Sequence, residues 1–193
     1  MKAQLRNHIR KQRRNVSSSQ KTLASQQLAT FCCAHEWVKQ AQHIACFLDN
    51  DGEIETRPLI SQLLDAGKSV YLPVLHPDKT NQLLFLSYQH SDLLKPNRFG
   101  ILEPDMQSQS LINNKDLDLV LMPLVAFDQK GHRLGMGGGY YDRSFAFSQT
   151  EPTPKPRLAG IAYRFQQIER LEPESWDVPL GTIFTEQGII NTE

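Results

Sequence analysis

His-Ile-Ala-Cys-Phe-Leu-Asp-Asn-Asp-Gly-Glu-Ile-Glu-Thr-Arg-Pro-Leu-Ile-Ser-Gln-Leu-Leu-Asp-Ala-Gly-Lys-Ser-Val-Tyr-Leu-Pro-Val, residues 43–74, decides the fold. His43 to Leu48 is a short apolar run that reads as a buried strand, and the acidic, glycine-containing segment Asp49 to Glu55 reads as the loop at its end. Thr56 is placed to cap a helix whose apolar face is Leu59, Ile60, Leu63 and Leu64, and Gly67 to end it. Lys68 to Val74 is the next strand. Strand, loop, helix and strand in about 30 residues make a βαβ unit, which predicts a right-handed crossover and a parallel sheet.

Outward from this unit, Leu83–Tyr88, Leu117–Met122, Leu158–Tyr163 and Thr182–Thr185 are further strand candidates, with no internal repeat and no long linker between them. The pattern predicts an α/β fold: a three-layer α/β/α domain with a mostly parallel central sheet. Upstream, residues 2–14 favour a helix with Leu5 and Ile9 on one face. Lys2, Arg6, Arg10 and Arg14, four residues apart, draw a slowly drifting cationic stripe along it. Ser17–Ser19 offer an N-cap to a second helix, in which Leu23, Leu28, Phe31, Cys32 and Trp37 recur at helical spacing as far as Lys39. Pro152, Pro154 and Pro156 mark a short stiff loop and not a domain boundary.

The chain has 193 residues, and at roughly 150 per domain residues 1–193 read as one domain. With 39% hydrophobic and 22% charged residues, collagen, coiled coil and wholesale disorder are excluded. The longest apolar stretch, Leu119 to Phe127, is about half of the ~20 residues a membrane-spanning helix needs, and Pro123 interrupts it. The formal charge is zero but uneven: Lys2, Arg6, Arg10, Lys11, Arg13, Arg14 and Lys21 fall in the first 21 residues with no acid among them. Such an arm suits a polyanion, the acidic body of the same chain, or a solvated helix face. Being Arg-rich, acid-poor and followed by Ser17–Ser19, it also has the look of a mitochondrial transit peptide. Cys32, Cys33 and Cys46 suit neither a disulfide framework nor a CxxC zinc site, so reduced, partly buried thiols are expected; His35 beside them lacks a further metal ligand.

The stretch with most chemistry is Pro123 to Arg143, PLVAFDQKGHRLGMGGGYYDR, where Gly135, Gly137, Gly138 and Gly139 fall within five positions after a very apolar strand. In an open α/β sheet ligands bind beyond the carboxyl ends of strands. Glycines there admit close backbone approach, so that successive N–H groups converge on a phosphate, with the next helix N-terminus adding its dipole. A plain chain reversal would use glycines too. Here, however, Arg133 precedes them and Tyr140, Tyr141, Asp142 and Arg143 follow, so a cation, stacking rings and a carboxylate for Mg²⁺ lie beside the cradle. No Gly-Lys-Ser/Thr follows, and Tyr140 occupies the last glycine position of a GxGxxG, so neither common nucleotide signature applies.

Arg133-Leu-Gly-Met-Gly-Gly-Gly-Tyr-Tyr-Asp142 resembles the signature of the 5-formyltetrahydrofolate cyclo-ligase family, also called methenyltetrahydrofolate synthetases. Lys2-Ala-Gln-Leu-Arg6, Phe47-Leu48 through Gly52-Glu53-Ile54-Glu55-Thr56, and Trp176-Asp177-Val178-Pro179-Leu180 resemble the family in the same order. The resemblance implies an enzyme that uses ATP and Mg²⁺ to convert 5-formyltetrahydrofolate into 5,10-methenyltetrahydrofolate, with release of ADP and phosphate. It also implies a cytoplasmic protein, expected to be monomeric, with no membrane or nucleic-acid partner.

By the same resemblance Lys2, Ala3, Gln4, Leu5 and Arg6, with Arg133, Leu134, Gly135, Met136, Gly137, Gly138, Gly139, Tyr140 and Tyr141, match ATP-binding positions. Leu48, Glu53 and the segment Met136, Gly137, Gly138, Gly139 and Tyr140 match folate-binding positions, and Asp142 and Asp177 match Mg²⁺ positions. A carboxylate such as Glu53 suits the donor-rich edge of a pterin; Glu55 is assigned to the helix start. A phosphate clamp at Lys2 and Arg6 weakens the transit-peptide reading, since cleavage would remove it. Met136 and Gly138 stand where many relatives carry Arg and Lys, so Arg133, Arg143 and Arg6 are expected to supply the missing charge. Arg10, Arg13 and Arg14 are expected only to cover the body's acidic surface. Two other classes compete: a non-catalytic phosphate or nucleic-acid module built on the basic helix, and another α/β enzyme such as a sugar-phosphate isomerase or CoA transferase.

Overall fold

The computed structural model describes residues 2–150 and 155–192; Pro152 and Pro154 of the expected stiff loop lie outside them. In chain order the elements are helices α1 (Lys2–Arg14), α2 (Ser18–Ala34) and α3 (Glu36–Gln40), strand β1 (His43–Ala45), helix α4 (Arg57–Asp65), and strands β2 (Ser69–Leu75) and β3 (Leu83–Tyr88). Strands β4 (Leu94–Pro96), β5 (Leu102–Pro104), β6 (Leu111–Ile112), β7 (Leu119–Pro123), β8 (Ala126–Phe127) and β9 (Arg133–Leu134) follow. Helix α5 (Tyr140–Phe145) and strands β10 (Arg157–Ile161), β11 (Thr182–Thr185) and β12 (Gly188–Asn191) complete the order.

The central sheet runs β12-β11-β10-β7-β1-β2-β3-β6. Its middle five strands, β11 through β2, are parallel, with Ile44 opposite both Val70 and Leu119. The mostly parallel sheet and the β1–α4–β2 crossover agree with the sequence reading. β3, β6 and β12 are antiparallel additions at the edges. For β3 the reason is length: residues 76–82 are too few for the crossover of a dozen or more residues that a parallel return requires. β4 with β5, and β8 with β9, form two separate antiparallel ribbons that the sequence reading left as loop. β1 is shorter than the apolar run that announced it; Cys46 still donates its N–H to Tyr71 O at 2.9 Å before the chain turns away.

Alternate residues of the middle strands feed two cores, as a sheet covered on both faces requires. Ile44, Leu119, Leu121, Ala159 and Phe184 pack against Leu28 and Cys32 of α2, Val38 of α3 and Leu59, Ile60 and Leu63 of α4. Ala45, Val120, Met122, Leu158 and Ile183 pack on the other face against Phe145 of α5 and against Val178 and Leu180. The second outer layer is therefore thin, one short helix supplemented by coil. Each fully buried leucine of α4 contributes about 2 kcal/mol of apolar burial, and Leu59→Ala is the kind of change that costs ~3 kcal/mol.

Ser17 caps α2 in a capping box with Gln20. The expected helix through Lys39 is broken at His35, whose backbone is extended (φ −73°, ψ 142°) and whose Nδ1 accepts from Trp37 N at 3.3 Å, so that one residue ends α2 and starts α3. That bond gives His35 a structural part. Among the described residues no cluster of three metal-ligating side chains occurs. Burial pushes the Cys32 thiol up and that of Cys46 up to about 12, which fits inert thiols. Thr56 stands at the N-cap of α4 but makes no capping bond; its hydroxyl donates to Phe47 O at 2.5 Å, tying the end of the 49–55 loop to the strand. Glu55 precedes this cap and lies outside the first turn of α4. Gly67 ends the helix as expected, with Gly67 N bonded to Leu64 O and Lys68 N to Leu63 O.

Candidate active site

The loops after β1, β7 and β10, three neighbours in the sheet, emerge on one side at the carboxyl ends of their strands. Helix α1 lies across them. Its inward face is set by spacing: Leu5 packs against Ala126, Leu134 and Leu171, and Ile9 is 3% exposed. Three of its cations, one from each turn, reach three different loops. Lys2 Nζ pairs with Glu174 Oε1 at 2.8 Å, Arg6 Nε donates to Gly135 O at 2.7 Å, and Arg10 Nε donates to Asp51 Oδ2 at 2.5 Å.

The loop after β7 folds into the β8–β9 ribbon, closed by Val125 N on Leu134 O at 2.7 Å. Asp128 staples its turn: the carboxylate accepts from Lys130 N, His132 N and Leu171 N and contacts His132 Nδ1 at 2.9 Å. The ribbon sets the glycine loop at its exit. Gly139 takes φ +64°, a left-handed conformation costly to any other residue, and starts α5. With six residues α5 offers first-turn N–H groups and little macrodipole, less than the sequence suggested.

The three cations expected to serve the loop divide their work. Arg6 and Arg143 hold it by backbone carbonyls, Arg143 Nη1 donating to Gly138 O at 2.7 Å. Arg133, its side chain 5% exposed, places Nη2 at 2.5 Å from Asp142 Oδ1 and binds Val178 O through Nη1, so its charge is matched by Asp142. Met136 is 54% exposed. Tyr141 stacks on Phe145, with centroids 6.4 Å apart and planes at 17°, and burial pushes its phenol up, keeping it a neutral group.

One backbone contact sets Asp142 against the residue that follows Asp177. Asp142 Oδ1 accepts from Val178 N at 3.2 Å, and Asp177, the preceding residue, accepts Glu174 N on Oδ2 at 2.8 Å. Two hard carboxylates without a third protein ligand fit Mg²⁺, which keeps water and phosphate oxygens in its shell.

On the other side of α1, the turn Asp49–Glu55 is pressed against the end of the helix. Gly52 has φ +75°, and a Cβ there would lie 3.0 Å from Arg13 C and 3.1 Å from Arg14 N, so only glycine allows the approach. Asp51 takes Arg10 and Arg14, which do cover acidic surface as expected. Arg13 departs from that expectation. Its side chain is completely buried, with Nη1 3.5 Å from Glu53 Oε1 and 3.4 Å from Leu124 O, and Nη2 3.3 Å from Asp51 Oδ2. Glu53 Oε2 accepts Asn50 N at 3.0 Å. Burial pushes the Glu53 carboxyl up to about 7, against the pull of Arg13 and of that N–H. Leu48 is buried (8% exposed) at the base of the same turn.

Sequence reasoning missed Arg98 and Phe99, at the turn joining β4 and β5. Arg98 Nη2 donates to Tyr140 OH at 3.0 Å, and the Phe99 ring, 54% exposed, stands edge-on to Tyr140 with centroids 6.2 Å apart. The available signal was an aromatic beside a cation inside Asn97–Gly100, a turn sequence where a loop-tip aromatic has no core to join.

A glycine loop, the cations Arg6, Arg133 and Arg143 and the carboxylates of Asp142 and Asp177 thus lie at the carboxyl edge of an α/β sheet, where enzymes of this architecture bind their ligands. Residues 1–186 match the sequence profile of the 5-formyltetrahydrofolate cyclo-ligase family, and the chain belongs to that family. It is 44% identical over 180 residues to the 5-formyltetrahydrofolate cyclo-ligase of Haemophilus influenzae, covering 93% of this chain and 95% of that one. The Escherichia coli K12 cyclo-ligase is 44% identical over 177 residues, with 92% and 96% covered. The NMR structure of Aquifex aeolicus 5,10-methenyltetrahydrofolate synthetase superposes with a TM-score of 0.81 at 30% identity, over 98% of this chain and 92% of that one. A Mycoplasma pneumoniae 5,10-methenyltetrahydrofolate synthetase shares the fold, with a TM-score of 0.74 at 23% identity and 96% and 98% covered.

Proposed function

We propose that this chain, as one domain over residues 1–193, catalyses the ATP-dependent closure of 5-formyltetrahydrofolate to 5,10-methenyltetrahydrofolate. The carrying observation is that four segments far apart in sequence meet around α1: Lys2–Arg6, Leu48–Glu53, Arg133–Asp142 and Glu174–Val178. A formamide oxygen is a poor leaving group. Transfer of the γ-phosphoryl to it releases ADP; the anilino nitrogen then attacks the formyl carbon, the C–O bond breaks, and phosphate departs with that oxygen. In such chemistry the protein mainly positions the reactants and neutralises charge.

Arg6 and Arg143 brace the glycine loop so that its N–H groups face the phosphates, and their remaining N–H donors complete the cradle. Asp142 and Asp177 would hold Mg²⁺, which would supply charge neutralisation at the phosphates. Glu53 and Leu48 receive the pterin, and Met136 to Tyr140 border both substrates. Separated carboxylates at Glu53, Asp142 and Asp177 favour this reading over a phosphate or nucleic-acid module, which needs none of them. A cytoplasmic monomer belongs to the same reading; among the described residues no helix is long and apolar enough to cross a membrane.

The test is the rise of methenyl-folate absorbance when the purified chain meets 5-formyltetrahydrofolate and Mg-ATP. An ATP-dependent rise that Asp142→Ala abolishes is expected. No rise from folded protein that still binds ATP would hand the scaffold to another substrate.

A further inference from the structure

Arg13 is an expensive residue for its position. The inward face of α1 is otherwise apolar, and a leucine in line with Leu5 and Ile9 would dock the helix without desolvating a guanidinium, which costs several kcal/mol. Nor is Arg13 arranged as a helix clamp. Arg10 and Arg14 already bind Asp51 through Nε at 2.5 and 2.6 Å, whereas the Arg13 contacts are 3.3–3.5 Å, long for charge-assisted bonds of ~2.8 Å. Its Nε, fully buried, has no partner among the described residues. The guanidinium is instead shared between Glu53, Asp51 and Leu124 O, and that carbonyl is fixed from behind by Gln166 Nε2 at 2.9 Å.

We propose that Arg13 is a positioning residue for folate recognition: its buried guanidinium holds Glu53 in place and opposes its protonation, so that both carboxylate oxygens can be presented as acceptors to the N–H donors of the pterin. The proposal rests on the cyclo-ligase reading and on Glu53 as the pterin contact. The groups facing Glu53 explain why a dedicated cation is needed. Asp49 and Asp51 on its own turn disfavour a further negative charge and the Tyr141 phenol on α5 stays neutral, while Asn50 N–H and Arg13 favour the carboxylate. Removing Arg13 leaves a desolvated carboxyl among acids, and it takes up a proton. A protonated Glu53 offers one acceptor fewer where the pterin brings two donors.

The experiment measures the Kd of 5-formyltetrahydrofolate by calorimetry from pH 6 to 9.5, with folate KM, ATP KM and kcat alongside, for wild type, Arg13→Gln and Glu53→Gln. In Arg13→Gln, folate Kd and KM are expected to rise about tenfold at pH 7 and to come within about twofold of wild type by pH 9.5, with ATP KM and kcat within threefold. Glu53→Gln should weaken folate at every pH. A folded Arg13→Gln that binds folate as wild type does, or whose deficit is the same at every pH, overturns the proposal. Arg13→Lys covers the case in which the glutamine variant does not fold. Retaining the cation, it should keep the wild-type pH midpoint, and a lysine variant with an alkaline-shifted midpoint counts against the assignment. Binding without turnover in the wild type would overturn the cyclo-ligase reading while the pH dependence of Kd still decides on Arg13; no folate binding at any pH overturns both.

Discussion

Arg133 Nη2 and Asp142 Oδ1 lie 2.5 Å apart, so the cation expected to serve phosphate and the carboxylate expected to serve Mg²⁺ are each other's partners. With the Arg133 side chain only 5% exposed, removing Asp142 leaves a nearly buried charge unmatched. Asp142→Ala should therefore lose activity and also about 2 kcal/mol of stability. Asp142→Asn, which keeps an acceptor for Arg133 and for Val178 N, should recover most of the stability and little of the activity. Urea denaturation beside the absorbance assay checks the split; an alanine variant as stable as wild type would show that the pair carries no structural weight.

Met136 is exposed at the rim of a loop whose neighbouring cations are occupied, Arg133 by Asp142 and Arg143 in part by Gly138 O. Adding a guanidinium there supplies charge to phosphate without displacing a core side chain. Met136→Arg is expected to lower ATP KM about three- to tenfold, and to make it rise more steeply with salt. Initial rates at two ionic strengths are enough; an unchanged ATP KM would mean that the loop's phosphates lie out of reach of position 136.

At Gly52 both the positive φ and the 3.0 Å approach to the Arg13 backbone forbid a side chain. Gly52→Ala should cost about 2 kcal/mol and, by pushing the turn off α1, raise folate KM more than ATP KM. A variant that melts with the wild type would place the turn's close approach outside the energetics of folding.

Asp128 gives a pH dependence with a definite sign. Burial raises its carboxyl, but the N–H donors of Leu171 and His132 together with the His132 ring outweigh it and hold it below the usual carboxylate value. A carboxyl lowered on folding contributes stability that is complete above the unfolded value near 4 and is lost as pH falls through the folded one. Asp128→Asn should be less stable than the wild type at pH 7, by about 2 kcal/mol, and the gap should narrow progressively as pH falls below the unfolded carboxylate value. Thermal melts across that range check it; parallel curves would remove Asp128 from the acid limb.

The middle of the sheet was legible because Leu119–Met122 and His43–Leu48 are buried on both faces and so lack polar punctuation. Edge strands such as β6 and β12 are short and half-exposed, and their residues carry no such run. The reversal of β3 was readable in principle from the seven-residue connection. His35 was not, since apolar spacing continues past it and only a side-chain bond breaks the helix. In the site, the glycine loop and the adjoining Asp142 stood out in the sequence and Asp177 was reached only through the family resemblance, whereas Arg13 looked like one more cation covering acidic surface. Charge is visible in a sequence, but which face of a helix turns inward at a given cation depends on contacts more than a hundred residues away.

That last point bears on how the chain is made. Arg6 meets Gly135 across 129 residues of sequence and Lys2 meets Glu174 across 172. On the ribosome α1 emerges well before these partners, and its docking surface is complete only once Glu174 has been synthesised. At ~5–20 residues per second the helix waits on the order of ten seconds with its leucine and isoleucine bare. Its six lysines and arginines keep that early segment hydrated and mutually repelling, so the same cations that reach the site loops in the finished protein guard the newborn one.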